Sequence, residues 1–403
     1  MLSVDEAIER ILVHATPVGT RVVPLAEANG RILAVPVVAA SDQPPFAASA
    51  MDGYAVRAED VRAGAVLELV GESQAGAGLQ GKVASGQCVR IFTGAPMPEG
   101  ADSVVMQELA TAKGKAIAFA ESARIGQSVR KRGNDFATGE ELIATGTRLG
   151  PAAISLIAAA NQAQVSVHKR PGVALLATGD ELVAPGTELA EGQIVASNSW
   201  GLSALFSSIA GDVHDLGIAP DNETALAESL QRAFDTGAEV IVTTGGASVG
   251  DHDLVQPVLQ SLGVEIDFWK MAMRPGKPLM FGTKGHRLVF GLPGNPVSAL
   301  VTATVAVLPA LRQMAGLAEP RWRPMRLPLA AAIPANGPRR HFLRGNMVLD
   351  DEGTPAAMPL TETDSAHLSS LAGADLLIVQ REDSPALEEG ALVEVIPLNT
   401  VWP

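Results

Sequence analysis

Short aliphatic runs alternate with amphipathic stretches between residues 172 and 314, and this pattern predicts a parallel β-sheet with helices on both faces. Runs rich in β-branched residues are expected to be strands, because a strand buried on both faces reads as a continuous apolar segment. We predict strands at Gly172–Ala177, Val213–Ile218, Val240–Thr243 and Leu288–Phe290, and helices at Asn198–Ile209, Thr224–Phe234, Leu254–Leu262 and Val297–Met314. Ligands of such sheets bind at the carboxyl ends of the strands, so the loops at those ends are the candidate site.

The stretch Glu239–Asp253, EVIVTTGGASVGDHD, has the pattern of a strand, a glycine turn and a helix start. The adjacent glycines Gly245 and Gly246 let the backbone turn tightly and lie against a ligand, and Asp253 is placed to cap the following helix. Free backbone N–H groups at a helix start bind anions, so this stretch predicts an anion site. A plain strand-to-helix turn is the alternative interpretation. The glycine spacing matches neither the dinucleotide-binding motif nor the Walker phosphate motif.

The other parts of the chain predict smaller domains around this sheet. Short strands between glycine and proline turns from residue 65 to residue 121 indicate a small all-β module. A capping-box pattern at Ser3–Glu6 and a proline at the start of a helix from Pro151 to Asn161 predict helices outside the sheet, and Leu25–Asn29 predicts a further short one. We therefore predict an α/β multidomain protein with these limits: residues 1–46 and 136–168 form an N-terminal helical and extended region, 47–135 the β module, 169–318 a domain with a doubly wound parallel sheet, and 319–403 a C-terminal β domain.

Composition and charge exclude several classes of protein. The chain has 403 residues, 47% of them hydrophobic, and a formal net charge of −14, which disfavours general nucleic-acid binding. Aromatic residues make up only 4%, which argues against stacking platforms for single-stranded nucleic acid. Cys88 is the only cysteine, so a disulfide framework and a cysteine metal cluster are excluded. We expect a cytoplasmic protein that does not bind a membrane, because no leader pattern opens the chain and no apolar run suggests a span.

Polar residues directly follow four of the predicted strands. These residues are Glu181, Asp221, Thr244 and Asn295, and we expect them to share one crevice at the carboxyl edge of the sheet. Carboxylates are the hard oxygen ligands that Mg²⁺ prefers. The interpretation that each residue merely serves a turn is weakened because four loops coincide.

Basic residues are concentrated in two places of this acidic chain. The segment WKMAMRPGKPLMF carries Lys270, Arg274 and Lys277, and its prolines and glycine fix the backbone, which favours a positioned set of cations over a solvated surface. No acidic residue occurs from Pro320 to Leu349, and we call this stretch the arginine segment. It is suited to contact with phosphate or another oxyanion. Its arginines are Arg321, Arg323, Arg326, Arg339, Arg340 and Arg344.

Two further acids stand beside tight turns earlier in the chain. Asp52 precedes Gly53 in PPFAASAMDGYAV, and Asp135 follows the cations and the glycine of RKRGND. Each is a candidate site residue, and a plain loop or a solvated basic face is the alternative interpretation.

Seven motifs in this order resemble the molybdopterin molybdenumtransferase family, which includes the gephyrin E domain. They are PPFAASAMDGYAV, RIFTGAPMPEGADSVV, KRGNDF, ATGDEL, TTGGASVGDHD, MRPGKP and GLPGNPVSA, and the resemblance covers essentially the whole chain. It implies insertion of molybdate into adenylated molybdopterin with release of AMP, a divalent cation that is usually Mg²⁺, and a sheet domain of the molybdopterin-binding type. It also implies an elongated homodimer that shares its sites between subunits, with the N-terminal region as the dimerisation region, and a contact with the molybdopterin adenylyltransferase.

The resemblance, read together with the residues, gives three groups of expected site residues. The catalytic group is Asp52, Asp135, Asp221, Lys270, Arg274 and Lys277. The substrate-binding group is Thr93, Thr243, Thr244, Gly245, Gly246, Ser248, Pro293, Gly294, Asn295, Pro296, Arg340, Ser369 and Ser370. The metal ligands are Glu181, Asp221 and Asp253.

This sequence departs from the family pattern at a few positions and leaves two rival functions. Ala48 stands where the family often has Asn, and Arg274 stands where many members have Lys, which keeps the charge but presents a planar fork. One rival is a molybdopterin adenylyltransferase, whose α/β domain is of the same type. The other is a non-enzymatic, gephyrin-like scaffold that anchors membrane receptors. The additional N-terminal and C-terminal domains argue against the first, and the lack of a fused adenylyltransferase domain argues against the second.

Overall fold

The computed structural model of this chain describes residues 1–245, 254–362 and 364–401, with only the backbone described for residues 400 and 401. The α-helices are α1 Val4–His14, α2 Pro151–Ala159, α3 Asn198–Ser207, α4 Glu223–Asp235, α5 Val255–Ser261, α6 Pro296–Thr302, α7 Leu308–Met314, α8 Leu368–Ala372 and α9 Leu398–Val401. A π-helical segment, Ala303–Val307, joins α6 to α7, and 3-10 turns lie at Leu25–Glu27, Ala58–Asp60 and Gln107–Leu109.

The strands fall into three larger sheets and several short pairs. In chain order they are β1 Thr20–Pro24, β2 Val37–Val38, β3 Ala48–Ser49, β4 Gly53–Val56, β5 Val66–Ser73, β6 Gln87–Ile91, β7 Ser103–Met106, β8 Ala110–Lys113, β9 Ala116–Phe119, β10 Val129–Arg130, β11 Glu141–Ile143, β12 Gln164–His168, β13 Val173–Thr178, β14 Leu182–Val183, β15 Ile194–Val195, β16 Val213–Ala219, β17 Val240–Thr244, β18 Glu265–Lys270, β19 Met273–Arg274, β20 Pro278–Lys284, β21 Arg287–Leu292, β22 Met325–Pro328, β23 Arg340–Leu349, β24 Pro355–Pro359, β25 Leu376–Gln380 and β26 Leu392–Pro397.

The chain forms two compact units, and the first contains the predicted α/β sheet. This unit comprises Met1–Arg21, Gly146–Arg148 and Val167–Pro403. Its main sheet has the order β16-β13-β17-β21-β20-β18, in which the first four strands run parallel. Every residue of β13 and of β17 is buried, as the continuous apolar runs predict.

Helices cover both faces of this sheet, which confirms the predicted doubly wound arrangement. On one face, α4 and α5 pack against alternate strand residues such as Leu176, Ile241 and Val289. Away from that cluster, α3 contacts β13, α6 contacts β21, and the two helices pack against each other. Burial on both faces removes a large apolar area from water, which is the main favourable contribution to folding.

The sheet differs from the prediction at one side, where β20 runs antiparallel to both of its neighbours, β21 and β18. β20 and β21 form a hairpin whose two-residue connection contains Gly285 at φ 62. Such a short connection joins only antiparallel neighbours, because parallel strands need a long crossover. The predicted helix at Leu25–Asn29 is likewise shorter than expected, a single 3-10 turn at Leu25–Glu27.

The helical stretch Pro296–Met314 is the central helix of the first unit. By length and composition it is apolar enough to cross a membrane, but 83% of its apolar window is buried inside the protein, as in a core helix. α1 packs on α7 and on the π segment, and it buries Val4, Ala7, Ile8 and Ile11. The capping box predicted at Ser3 is present. The Glu6 carboxylate accepts a hydrogen bond from the Ser3 backbone N–H at 2.9 Å.

A second sheet completes the first unit with the predicted C-terminal β domain. Its order is β19-β23-β25-β26-β22, with β24 paired to β23, and its core includes Leu343, Ile378 and Val395. We call residues 269–281, WKMAMRPGKPLMF, the basic segment. Its central strand β19 pairs in parallel with β23 and forms an edge of the C-terminal sheet.

The second unit comprises Val22–Thr145 and Leu149–Ser166 and contains the predicted β module. Its main sheet has the order β7-β4-β6-β5-β9-β8, and its core includes Tyr54, Val105 and Phe119. α2 lies in this unit and buries Ile157. The domain limits that the sequence predicts at residues 46, 135, 168 and 318 stay predictions.

Candidate active site

The end of β17 turns at Gly245 because no other residue fits there. Gly245 has φ +88, a backbone conformation that side chains rarely adopt. A Cβ at this position would lie 2.2 Å from the backbone oxygen of Thr178 at the end of β13. Gly245 also meets the next loop, since a Cβ on Gly294 would lie 3.6 Å from the Gly245 Cα. Three loops at the carboxyl edge therefore touch through glycine, and Gly246, Ser248 and Asp253 lie outside the described residues.

A cavity of about 430 Å³ opens at this edge, and we call it the sheet-edge cavity. Thr178, Glu181, Thr244 and the Gly294–Pro296 loop line it, together with the start of α3. The volume lies within the range of small-molecule sites. The predicted crevice is therefore present, and three of the four residues that follow strand ends line it: Glu181, Thr244 and Asn295. Asp221 does not line it but lies next to Asp180 and Glu181.

Three buried polar atoms in the wall of this cavity have no hydrogen-bond partner among the described residues. They are Thr178 Oγ1, Asn198 Oδ1 and Asn295 Oδ1. The Asn198 amide is held in place, because its Nδ2 donates to the Gly294 carbonyl at 2.8 Å. An unpaired buried polar atom costs about 1–3 kcal/mol, so these atoms are suited to a polar ligand that completes their hydrogen bonds.

Three carboxylates form an acidic cluster at the rim of the cavity. The Asp180 carboxylate accepts a hydrogen bond from the Asp221 backbone N–H at 3.0 Å. Partial burial raises the pKa of Asp221, and the negative charges of Asp180 and Glu181 raise it further. Mutual repulsion of this kind is relieved by a cation, so the donor set fits a divalent metal. Within the described residues, however, no three potential ligands are grouped closely enough to hold a metal without further donors.

The Gly276 backbone lies directly against the central helix. Gly276 has φ +98, and a Cβ on it would lie 2.0 Å from Thr302 Oγ1. The loop is closed by a hydrogen bond from the Met271 backbone N–H to the Lys277 carbonyl at 3.1 Å. Thr302 is the last residue of α6, whose first residue lines the sheet-edge cavity. The basic segment and the cavity are therefore attached to the same helix.

The three predicted cations of this segment do not share one environment. Arg274 and Lys277 are exposed, and Lys270 is half-buried. Arg274 lines a second cavity, beside the C-terminal sheet, and not the sheet-edge cavity. The sequence treats the three as one set because it shows their spacing and not the strand pairing that separates them.

Within the described residues, four of the six arginines in the arginine segment form ion pairs with acids, and three of these four pair with acids from distant parts of the chain. Arg340 donates to Asp5 at 2.8 and 3.0 Å and also pairs with Glu382. Further pairs join Arg321 to Glu9, Arg323 to Glu319 and Arg326 to Glu394. The predicted basic surface is thus reduced. Sequence distance hides the partners of Arg321, Arg326 and Arg340, whereas Glu319 is only four residues from Arg323.

The C-terminal serines lie on a helix that packs against the central helix. Ser369 and Ser370 are in α8, which packs against α6, and Ser370 Oγ is buried without a partner among the described residues. Buried Arg344 donates to the carbonyls of Glu362, Asp364 and His367, which precede α8. This segment carries Ala366, which lines the sheet-edge cavity. The sequence shows Arg344 as one basic residue of many and gives no signal of this positioning role.

The remaining strand-end candidates differ in their access to the cavity. The Thr243 side chain is fully buried, and its hydroxyl faces the Phe290 carbonyl at 3.5 Å, so it supports the sheet. Pro293 is also buried and does not line the cavity. Thr244, Gly294, Asn295 and Pro296 do line it.

In the second unit, Asp52 is held by a defined set of donors. Its Oδ1 accepts from the Thr93 backbone N–H at 2.7 Å and from the Thr93 hydroxyl at 2.8 Å. These two hydrogen bonds hold the pKa of Asp52 below its ordinary value, with a smaller contribution from the Arg90 charge. Arg90 donates to the Gly53 carbonyl at 2.9 Å and stacks on Phe92, so it fixes the turn. The sequence analysis did not single out Arg90, although it is the first residue of the motif RIFTGAPMPEGADSVV.

Asp135 lies in a separate turn of the second unit. Its backbone N–H donates to the Gln43 carbonyl at 2.8 Å, and its side chain is exposed. The neighbouring Arg132 pairs with Asp42. No described contact joins Asp135 to Asp52, so its predicted catalytic role stays a prediction.

Comparison with known proteins accounts for nearly the whole chain. Residues 2–161 match the MoeA N-terminal region (domain I and II), residues 174–313 a probable molybdopterin binding domain, and residues 326–398 the MoeA C-terminal region (domain IV). A molybdopterin molybdenumtransferase of Haemophilus influenzae is 34% identical over 99% of both chains. One of Nostoc sp. is 40% identical over 82% of this chain and 78% of its own. The crystal structure of a molybdopterin biosynthesis moeA protein from Pyrococcus horikoshii OT3 superposes with a TM-score of 0.85 at 30% identity, covering 98% of this chain and 99% of its own.

We expect Gly245→Ala to destabilise the protein more than Gly237→Ala does. Both glycines have positive φ, +88 and +80, and nothing lies within 4 Å of a Cβ at Gly237. The conformational strain of about 1–3 kcal/mol is therefore common to both variants, and only Gly245→Ala adds the clash with Thr178. Urea unfolding of the two variants measures the difference. Equal losses of unfolding free energy would show that the approach of β17 to β13 does not need glycine.

Proposed function

This chain belongs to the molybdopterin molybdenumtransferase family, and from that premise we propose how its residues insert molybdate into adenylated molybdopterin and release AMP. Its relatives are transferases of molybdenum cofactor biosynthesis, and the chain is an enzyme of that class. The observation that carries the proposal is the sheet-edge cavity, where buried polar atoms without partners surround a space of ligand size. The adenylyltransferase and scaffold alternatives are not favoured, because the curated relatives that span this chain carry the transferase name.

Adenylated molybdopterin occupies the sheet-edge cavity in this proposal. Its phosphates lie at the start of α6, where backbone N–H groups near Asn295 are free to bind anions. Thr178 Oγ1, Asn198 Oδ1 and Asn295 Oδ1 complete their hydrogen bonds to polar groups of the substrate. Gly246 and Ser248 keep the phosphate-binding role that the family resemblance implies.

The reaction step is a displacement at phosphorus. No cysteine nucleophile is available, since Cys88 is buried and burial raises its pKa to about 12. A molybdate oxygen therefore attacks the adenylate phosphorus, and the bond to the bridging oxygen breaks, so that the molybdopterin phosphate leaves. The dithiolene thiols then take molybdenum from the adenylyl molybdate, and AMP departs with the oxygen that linked it, together with one water. Molybdenum keeps its oxidation state throughout.

Positive charge near the basic segment supports this step. Lys277 and Lys270 attract molybdate and offset the charge that develops as the phosphoanhydride breaks. Arg274 serves the same function from the neighbouring strand β19. Asp52 and Asp135 are assigned catalytic roles by the family resemblance, and the hydrogen bonds from Thr93 keep the Asp52 carboxylate ionised.

Mg²⁺ is the proposed cofactor. Glu181 and Asp221 would hold it together with Asp253, and when bound it polarises a phosphoryl oxygen. The carboxylate cluster supports this assignment. Burial and then the like charges of Asp180 and Glu181 raise the pKa of Asp221, and a bound cation would lower it again.

We further propose a homodimer formed through α2. This helix is uncharged along its whole length, PAAISLIAA, yet it buries only Ile157 within its own chain. By contrast, the apolar face of α1 is already covered by α7 and the π segment, so α1 offers no such surface. The exposed residues of α2 are small and uncharged, such as Ala152, Ala158 and Ala159, so another helix can approach them closely. A second copy presents the same surface by symmetry. Contact with the molybdopterin adenylyltransferase and a cytoplasmic location remain part of the proposal.

We predict that Glu181→Gln lowers AMP release at least tenfold and raises the Mg²⁺ concentration needed for half-maximal rate. The change removes a charge but keeps the shape of the side chain. AMP release is measured across Mg²⁺ concentrations, and calorimetric titration measures Mg²⁺ binding directly. Glu188→Gln, at an exposed glutamate of the next loop, between β14 and β15, is the matched control and is expected to match wild type. Unchanged Mg²⁺ binding in Glu181→Gln would remove Glu181 from the metal site.

We predict that Lys277→Ala raises the molybdate concentration for half-maximal rate by about tenfold or more. A charge-assisted contact contributes about 1.5–3 kcal/mol, and this contact is made to molybdate rather than to adenylated molybdopterin. The affinity for adenylated molybdopterin is expected to change less. Lys115→Ala removes another exposed lysine and serves as the control. An unaltered molybdate dependence in Lys277→Ala would show that Lys277 is a solvated surface residue that does not bind molybdate.

We predict that Ala158→Arg converts the dimer into a monomer. Ala158 is exposed on α2, and a guanidinium there would be buried without a partner in the dimer. Light scattering at micromolar concentration should give about twice 41.6 kDa for wild type and 41.6 kDa for the variant. Ala112→Arg, on the exposed strand β8, is the control and should remain dimeric. A monomeric wild type would overturn the proposed interface.

A further inference from the structure

A second cavity of about 500 Å³ lies beside the C-terminal sheet, and we call it the C-terminal cavity. It is formed by the loop at residues 331–337, by β23 and by the end of β24. None of the molybdenum chemistry described above uses it. Arg274 is the one residue that connects this cavity to the basic segment.

Three polar side chains form a row across adjacent strands in the wall of this cavity. Arg274 on β19 lies directly opposite His341 on β23 in the strand register, and His341 lies opposite Gln380 on β25. Residues paired directly across a sheet present their side chains on the same face. All three residues line the cavity, so the row faces its interior.

The loop that closes the cavity is held by side-chain amides. Gln380 Nε2 donates to the Pro334 carbonyl at 2.7 Å. Asn336 Nδ2 donates to the carbonyls of Arg339 at 2.7 Å and Arg381 at 2.8 Å. The cavity is therefore a preformed part of the domain, which lowers the ordering cost of binding.

His341 is a buried polar group in the wall of this cavity. It is 7% exposed, and its ring makes no hydrogen bond to the residues that the structure describes. Burial, followed by the charges of Arg274, Arg339 and Arg344, lowers the pKa of His341 to about 4. At neutral pH the imidazole is uncharged and offers one donor and one acceptor.

The electrostatic field and the size of the cavity select the ligand. No acidic residue occurs among the described residues that line it, whereas three arginines lie around His341. An anion is therefore attracted. Ile333, Leu343 and Met358 supply apolar walls, and the volume far exceeds that of a bare oxyanion such as phosphate or molybdate.

We propose that the C-terminal cavity binds a small organic anion whose carboxylate or phosphate pairs with Arg274 and whose apolar body fills the space beside His341. A polar atom of that body completes the hydrogen bonds of the imidazole. Because the proposed function places Arg274 among the cations that attract molybdate, such a ligand competes with molybdate for this residue and inhibits the reaction. Only this inhibition rests on the proposed function, and the binding itself does not.

The test is calorimetric titration of the full-length protein without substrates. The probes are phenyl phosphate, benzoate, neutral benzyl alcohol, inorganic phosphate and molybdate. We expect one of the organic anions to bind with a Kd of about 1 mM or lower, and benzyl alcohol and inorganic phosphate to bind at least tenfold more weakly. The comparison of phenyl phosphate with benzoate decides which anionic group the cavity takes.

Two variants locate the binding. Arg274→Met keeps the aliphatic stem and removes the charge. It should lower the affinity for the organic anion at least tenfold, as expected for a lost charge-assisted contact. His341→Phe keeps the ring volume and should lower the affinity for the organic anion severalfold. Arg323→Met removes an exposed arginine of the same unit, outside the cavity, and should leave the affinity unchanged.

A second readout follows the imidazole itself. The chain has seven histidines, and comparison with His341→Phe assigns the His341 ring signals in NMR spectra. A bound anion stabilises the imidazolium, so binding should raise the pKa of His341 above about 4.

Several outcomes would overturn the proposal. They are the absence of organic-anion binding up to about 10 mM, equal affinity of the organic anions in Arg274→Met, and binding of inorganic phosphate that is lost in Arg274→Met yet is as tight as that of the organic anions. Arg274 is exposed, so its variant keeps the test decisive even if His341→Phe fails to fold. Failure of AMP release alone would contradict the proposed function and would leave these binding results unaffected.

Discussion

Close packing along one buried helix, Pro296–Met314, fixes the positions of most candidate site residues in the first unit. The loop before it lines the sheet-edge cavity, and Gly276 presses the basic segment against Thr302 so closely that a single methyl group would not fit. α8 packs on the same helix and brings Ser370 near it. Protein interiors transmit small displacements because they are densely packed. The distances between the Gly294–Pro296 loop, the basic segment and the serines are thus set by packing and not by direct contacts among them.

The sequence predicted the parallel strands and the polar loops at their carboxyl ends, because both depend on local patterns. Continuous apolar runs identified β13 and β17, and the direction of the chain then placed Glu181, Thr244 and Asn295 at one edge. Glycine at residue 245 was expected from the turn, and its contact with Thr178 supplies the physical reason. Periodicity and strand order were sufficient for these features.

The features that the sequence did not predict all depend on partners far apart in the chain. Arg340 pairs with Asp5, 335 residues away, so the arginine segment looked more basic than it is. β19 joins Arg274 to the C-terminal sheet, and no periodicity signals a two-residue edge strand. The positioning role of Arg344 depends on three backbone carbonyls, which a sequence does not display. Asp253, expected as a cap and a metal ligand, lies outside the described residues.

The π segment Ala303–Val307 changes what the buried helix can do for its neighbours. A π turn holds about one residue more than an α turn, and one residue corresponds to a rotation of roughly 100° about the axis. The faces of α6 and α7 are therefore offset. α6 packs against α3, α8 and the basic segment, whereas α7 packs against α1. The hydrogen-bonded backbone remains continuous, but each half can change its packing surface without altering the register of the other.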